Sequence, residues 1–506
     1  MRVPSRLIVG IAAPFALFVA LGSWVFASPV GSSPDDDYHM ASIWCGQGVR
    51  EGLCEQGETL NSFKVPAAVV LAARCFAFEP SVSGTCTEEV APGLVETKRS
   101  DASDRKYPDL FYAVMSVFAR PDVVASIVTM RLVAAAVFTA LVTALFFALP
   151  AHIRPAYTWG AVATAVPLGM FIVASVNPSG WAVLSGITLW AATLGWLTET
   201  DRRRLIVLGV LATIACLVGA GARGDAAVYG VMAMAAAAIV AFDRSREYWM
   251  RLLLMVGLTV MSVVLFFTAG QGSVVDPSGL GQESPLSEVT RLAVMNIQRL
   301  PELWIGVLGF WGLGWLDTAM PAVVWVTTVA IVVALIVIGL RGADRRRMLA
   351  VGMVFFALVA VPMYILTNDE VLVGSYVQPR YIQPILIVLV GLAILQLLPR
   401  PGLLSRGQAL ILVLSLAAAH AIALHVNMRR YVTGVDVFGL NLDNGVEWWW
   451  ALPFGPMWVW AAGSISFGVL VAAAVPMLVT STQVHSEGGP VRTPSSDPMR
   501  STMVVP

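Results

Sequence analysis

The sequence predicts an all-α polytopic membrane protein with about 12 transmembrane helices, and three observations carry that prediction. Only 13% of the 506 residues are charged and the mean hydropathy is +0.76, whereas a soluble chain carries about 25% charged residues. Apolar stretches long enough to cross a bilayer core recur along nearly the whole chain. Arginines fall on every second connecting loop, the alternation that the positive-inside rule produces. Net formal charge is zero, so no electrostatic case exists for a nucleic-acid partner.

The first predicted span, residues 7–27, ends in Val25-Phe26-Ala27, which resembles a cleavage site. Its apolar region is long and further spans follow, so residues 1–27 are read as an uncleaved anchor. The other predicted spans are 122–149, 156–176, 180–198, 205–222, 226–242, 252–269, 321–340, 348–367, 381–398, 408–426 and 454–478. They form two membrane blocks, 122–269 and 321–478. Arg2 and Arg6, Arg154, Arg202 to Arg204, Arg244 with Arg246, Arg345 to Arg347, and Arg400 with Arg406 then lie on one side. That side is cytoplasmic under the positive-inside rule, with both termini inside. Only Lys64, Lys98 and Lys106 are lysines among the 32 basic residues. This bias suggests a GC-rich bacterial genome and hence a multi-pass protein of a bacterial plasma membrane.

Four segments on the opposite side are too long or too polar to be mere turns: 28–121, 270–320, 368–380 and 427–453. The first is predicted to be a small extracytoplasmic loop domain. It holds Cys45, Cys54, Cys75 and Cys86, while Cys216 lies alone in an apolar span. An even set confined to one loop reads as two disulfides on an oxidising side. Three pairings are open, and the local one, Cys45–Cys54 with Cys75–Cys86, is preferred. No paired CxxC or accompanying histidines support a zinc site. Within 270–320, the apolar, glycine-rich run from Trp304 to Trp315 reads as a re-entrant or interfacial helix, because Trp prefers the headgroup level. Trp448, Trp449 and Trp450 are assigned to the same interface. The end of the chain, 479–506, is rich in Ser, Pro and Gly and reads as a disordered cytoplasmic tail.

Candidate chemistry gathers on the outer side. Asp35, Asp36 and Asp37, followed by His39, stand just after the first span. Adjacent carboxylates repel one another and avoid low dielectric, so lipid packing does not explain them. They suit a general base, a divalent cation (Mg, Mn or Ca) on Asp36 and Asp37, or both. Tyr107, Arg131, Asn177, Arg223, Asp317 and Gln378-Pro379-Arg380-Tyr381 complete the set. Arginines at the rim bind phosphate through a planar fork and leave a lipid tail in the bilayer. Plainer readings stand beside these. Arg223 can pair locally with Asp225, Arg131 can serve an internal ion pair, Asn177-Pro178 is first a turn signal, and His39 can simply neutralise the acids.

Four motifs recur together in one bacterial family of polytopic membrane proteins defined only as a domain of unknown function, and the chain resembles that family. They are Asp35-Asp36 with His39, Asn177 to Gly180, Gly314 to Thr318, and Gln378 to Tyr381, spread over roughly residues 7–400. Two departures are visible: Pro379 replaces the glycine of a Gln-Gly-Arg-Tyr form, and Trp181-Ala182 follows where an acid often stands. The family is in turn similar to the GT-C class of glycosyltransferases. That resemblance implies a GT-C-like fold, catalytic acids in the first extracytoplasmic loop (here Asp35, Asp36 and Asp37), a polyprenyl-phosphate sugar donor and an envelope glycan or glycoconjugate as acceptor. The expected mechanism has Asp36 or a neighbour deprotonate the acceptor, with Arg380 first, then Arg223 and Arg131, on the leaving phosphate. A transporter or flippase of lipid-linked glycans is the rival expectation, and a non-catalytic scaffold the third.

Overall fold

The computed structural model describes residues 5–270, 286–375, 377–396 and 403–479. Arg2, Arg400, residues 397–398 of one predicted span and the predicted tail beyond Val479 lie outside the described residues. The chain opens with α1 (Ser5–Phe26) and enters a small extramembrane unit. This unit comprises α2 (Asp36–Trp44), β1 (Glu55–Gln56), β2 (Phe63–Pro66), α3 (Ala67–Leu71), β3 (Leu94–Thr97), α4 (Asp101–Asp104) and α5 (Asp109–Met115). The strands form an antiparallel sheet in the order β1-β2-β3, with Lys64 opposite both Glu55 and Glu96. Both local disulfides are present, Cys45–Cys54 and Cys75–Cys86. Met40, Ile43, Trp44, Val65, Phe111 and Met115 pack into one core with Val123, Ile127 and Met130 of the next helix. The unit is thereby fused to the membrane bundle.

That bundle holds α6 (Val123–Ala148), α7 (Arg154–Ala163), α8 (Leu168–Val173), α9 (Pro178–Thr198), α10 (Arg202–Ala220), α11 (Gly224–Val240) and α12 (Arg246–Thr268). It continues with α13 (Leu286–Val307), α14 (Ala322–Gly339), α15 (Arg345–Asn368), α16 (Pro379–Ile394), α17 (Arg406–Val432) and α18 (Pro456–Ala474). Among the described residues, eight helices are long and apolar enough to cross a membrane. Shorter apolar helices carry the predicted spans at 7–27, 226–242 and 381–398. The predicted span 156–176 is a correction: Thr164 to Pro167 interrupt it, giving α7 and α8. Proline lacks the N–H that a continuous helix needs.

Helix α9 is central, with 83% of its apolar window buried, and α12 is peripheral at 17%. On α12, Leu253, Val256, Val260, Val264 and Phe267 face outward, which costs nothing when the surrounding solvent is lipid. Cohesion in such a bundle comes from close packing, so small residues mark the tightest contacts. A Cβ at Gly186 of α9 would stand 2.7 Å from the Pro384 Cα of α16.

Two further expectations are corrected. The amphipathic helix of 270–320 is α13, which includes only Trp304 to Val307 of the Trp-rich run. From Leu308 the chain turns back, pairing Leu313 with Thr318 around Gly314 and Leu316, both at positive φ. Trp448 is no interface anchor: it is buried with Phe76 and Tyr431, while Trp450 donates to the Phe26 carbonyl over 2.9 Å. Helix α17 also runs six residues past its predicted end at 426.

The bundle has two unlike ends. At one, the arginine-bearing loops meet: Arg346 donates to the Phe242 carbonyl, and Arg251 to those of Trp196 (3.0 Å) and Leu197 (3.1 Å). The extramembrane unit and the candidate residues gather at the other.

Candidate functional site

The acid cluster is shaped by one backbone break. Asp35 takes a left-handed conformation, φ 58°, at the N-cap of α2, an arrangement aspartate tolerates better than most residues. The three carboxylates therefore leave in different directions. Asp37 makes a forked pair with Arg99, at 2.6 and 3.1 Å. Asp36 turns inward, 1% exposed, and accepts the Ser33 N–H over 2.9 Å. Its other oxygen has no partner. Burial raises its carboxyl to about 7 despite the opposing charge of Arg131. Asp35 is the most exposed of the three, its side chain 38% exposed against 18% for Asp37, and its Oδ2 lies 2.6 Å from Arg380 Nη2. Desolvation pushes that carboxyl up, but the positive charge around it, Arg380 first, outweighs it and holds the pKa below the ordinary value.

Arg380 sits in the first turn of α16. Pro379 in place of glycine is compatible with this geometry, because it occupies the first helical position behind the Gln378 N-cap, where its missing N–H costs nothing. The Arg380 side chain is 3% exposed. It donates to Gln378 Oε1 and to the Tyr381 hydroxyl, the latter over 3.0 Å, and its Nε has no partner. The Tyr381 ring lies 4.8 Å from the Arg380 guanidinium and 4.3 Å from that of Arg223, each a cation–π contact. Arg223 forks onto Asp225 with two 2.8 Å bonds, as the plainer reading held, and also stands 5.5 Å from Tyr107. Asp101 fixes Tyr107 by accepting its N–H over 2.7 Å, and the hydroxyl of Tyr38 over 3.1 Å. A narrow crevice beside Arg380 is walled by Pro34, Trp311, Leu313 and Leu316.

Gln378, Arg380, Tyr381, Arg223, Tyr107 and Asp35 are thus brought together. The remaining candidates take other places. Asn177 caps α9, accepting from Ser179 N over 2.9 Å, and donates to the Pro34 carbonyl over 3.0 Å. It positions the turn that carries Asp35. Arg131 does not face the crevice. It is buried and binds the carbonyls of Val25 (3.1 Å), Ser28 (2.7 Å) and Pro29 (2.8 Å), closing the end of α1. Asp317 is turned into Arg430, 2.8 Å away, in a pair whose side chains are 4% and 0% exposed. His39 is enclosed by Tyr38, Tyr107 and Tyr112 and bonded to the Tyr112 hydroxyl at 2.9 Å. Desolvation lowers its pKa to about 3, so it is neutral and does not compensate the acids. Asp36 and Asp37 diverge, so the two carboxylates proposed for a cation do not share a site. Among the described residues no three His, Cys, Asp or Glu side chains gather as metal ligands.

Sequence reasoning missed Arg99, which bridges Asp37 and, at 3.7 Å, Asp35. It also missed Arg430, which besides Asp317 holds the carbonyls of Val82 (2.6 Å) and Phe76 (2.7 Å). A signal existed for Arg430: Arg429-Arg430 is an arginine pair on the side where the charge rule disfavours one. Arg99 carries a similar signal, standing beside Lys98 as a basic pair within 28–121 on that same side.

Fold and site together define a polytopic helical membrane protein with an ion-paired polar centre at one end of its bundle. Residues 17–390 match a family described as predicted membrane protein (DUF2142), and the chain belongs to that family. A search of curated proteins found no match.

Proposed function

We propose that the protein is a GT-C-like membrane glycosyltransferase that moves a sugar from a polyprenyl-phosphate carrier to an envelope glycan or glycoconjugate on the extracytoplasmic face. The observation that carries this reading is the half-exposed Asp35 carboxylate set 2.6 Å from the buried guanidinium of Arg380, a residue that lines the crevice. One group accepts a proton and the other binds a phosphate, and both stand where a lipid-linked donor would present its head. The orientation rests on the arginine-bearing loops at the opposite end of the bundle.

In this mechanism an acceptor hydroxyl attacks the anomeric carbon of the donor. The bond from that carbon to the phosphate oxygen breaks, and the polyprenyl phosphate leaves with the electron pair. The hydroxyl proton passes to Asp35. Arg380 holds the leaving phosphate through Nε, which has no protein partner, and Nη2. A phosphate that draws Arg380 away from Asp35 also removes the interaction that keeps its carboxyl acidic. The base thus strengthens only when donor is bound. Asp35 replaces Asp36 as the proposed base, since Asp36 is buried against Ser33. The flippase reading is less favoured, because the large cavity within the bundle is polar only towards its ends and mainly apolar between them, which gives a sugar head no continuous polar path.

The test is binding of a polyprenyl phosphate to purified protein in lipid nanodiscs, followed by tryptophan fluorescence. Arg380→Gln should weaken it at least tenfold, roughly the least expected from losing a charged hydrogen-bond partner. Equal affinity of wild type and Arg380→Gln would overturn the phosphate assignment.

A further inference from the structure

A large cavity lies away from the site just described. It has a volume of about 850 Å³ and is lined by α1, α6, α7, α8, α9, α16 and α18 with Arg204 of α10, within the size range of ligand-binding cavities. Along α1 it is lined from Gly10 to Leu21, which at 1.5 Å per residue is about 16 Å. That is about half of a ~30 Å hydrocarbon core, the depth of the acyl chains of one leaflet. At its far end stands Gln383, one helical turn from Arg380.

The other end is at the arginine-bearing face and is not apolar. Arg154 and Arg204 both line it, close enough for the charge of each to act on the other. Two like charges brought to one mouth favour an anion between them. Arg154 is steadied by the carbonyls of Leu149 (3.0 Å) and Phe147 (3.1 Å) and by the Phe146 ring, 5.3 Å away. Arg204 is 55% exposed and among the described residues makes only a long ion pair, 3.9 Å from Glu199 Oε2, while Glu199 Oε1 accepts the N–H groups of Thr200 and Asp201. Four residues inward from Arg154, Thr158 also lines the cavity, and its buried hydroxyl has no hydrogen-bond partner.

We propose that this cavity binds one anionic phospholipid of the leaflet at the arginine-bearing face. Its phosphate lies between Arg154 and Arg204, an ester carbonyl accepts the Thr158 hydroxyl, and an acyl chain fills the space up to Met170 and Val173. The three chemistries occur in that order along the cavity, as they do along the lipid. The inference is independent of the transferase reading, because none of these residues belongs to the Asp35–Arg380 centre.

The experiment is native mass spectrometry of the full chain in mild detergent, titrated separately with phosphatidylglycerol, phosphatidylcholine and a polyprenyl phosphate. Wild type should retain one phosphatidylglycerol at least tenfold more tightly than phosphatidylcholine. Arg204→Gln, at an exposed position, should abolish that preference, and Ala161→Trp, which fills the cavity, should abolish retention. Asp35→Asn should bind phosphatidylglycerol as wild type does, whatever becomes of sugar transfer. Equal retention of the two phospholipids, or a preference untouched by Arg204→Gln, would overturn the proposal. So would polyprenyl phosphate being the lipid that Ala161→Trp displaces, since the cavity would then serve the donor's tail.

Discussion

Replacing Asp317 by Ala separates a structural role from a substrate role for a residue that sequence alone placed in the site. Asp317 is buried against Arg430, accepts its Nη2 over 2.8 Å, and also accepts the Phe78 N–H over 3.2 Å. Removing one partner of a buried pair costs about 3–5 kcal/mol. Arg430 keeps two carbonyl partners, Val82 and Phe76, so the lower end, about 3 kcal/mol, applies. The Asp317 carboxylate ties together three segments: the Cys75–Cys86 loop, the turn at 313–318 and the end of α17. The cost should therefore appear as local opening. Hydrogen–deuterium exchange of amides in 76–86 and 311–318 should accelerate roughly 100-fold, the factor that about 3 kcal/mol corresponds to. Exchange elsewhere in the bundle should be unchanged. Wild-type exchange in Asp317→Ala together with lost polyprenyl-phosphate binding would refute this reasoning and return Asp317 to the substrate.

Three further outcomes follow from the same geometry. Asp36 has a folded pKa of about 7 against an ordinary 3.8, so between those values the folded protein binds the extra proton. Stability contributed by this group is present at low pH and lost as pH rises through about 7. Thermal melts should show Asp36→Asn less sensitive than wild type between about pH 4 and about pH 7, and equal sensitivity would contradict it. The Cys45–Cys54 bridge closes nine residues, and chain entropy assigns it about 2–3 kcal/mol; a Cys45→Ser, Cys54→Ser double variant should be less stable by that amount, and an unchanged melting midpoint would contradict it. Arg131→Leu strips donors from the carbonyls of Val25, Ser28 and Pro29. Membrane-inserted protein should fall several-fold, whereas a purely substrate-binding arginine would leave its amount unchanged.

How far the sequence reveals this molecule depends on whether a feature is local. Hydropathy identifies the apolar stretches, because lipid exposure demands them at every position, and cysteine count with short spacing identifies both bridges. The break at Thr164 to Pro167 is signalled by Pro167, but the apolar flanks on both sides hide it from a reading by hydropathy. Asp35 and Asp36 cannot be told apart from sequence: one positive φ sends the first to Arg380 and the second into the core. Arg131 is misread for another reason. Its partners are backbone carbonyls about 100 residues away, and a carbonyl leaves no trace in residue identity. Gln378, Arg380, Tyr381, Arg223 and Tyr107 are found because polar side chains at the rim of a membrane bundle are costly without a purpose.

The most direct test is sugar transfer by purified protein in lipid, with radiolabelled polyprenyl-phosphate sugars and envelope acceptor, comparing wild type, Asp35→Asn and Asp36→Asn at equal inserted amounts. The account predicts transfer by wild type, a loss of about 100-fold or more in Asp35→Asn, and substantial activity in Asp36→Asn. Full transfer by Asp35→Asn, or no transfer by wild type from any donor, would contradict it.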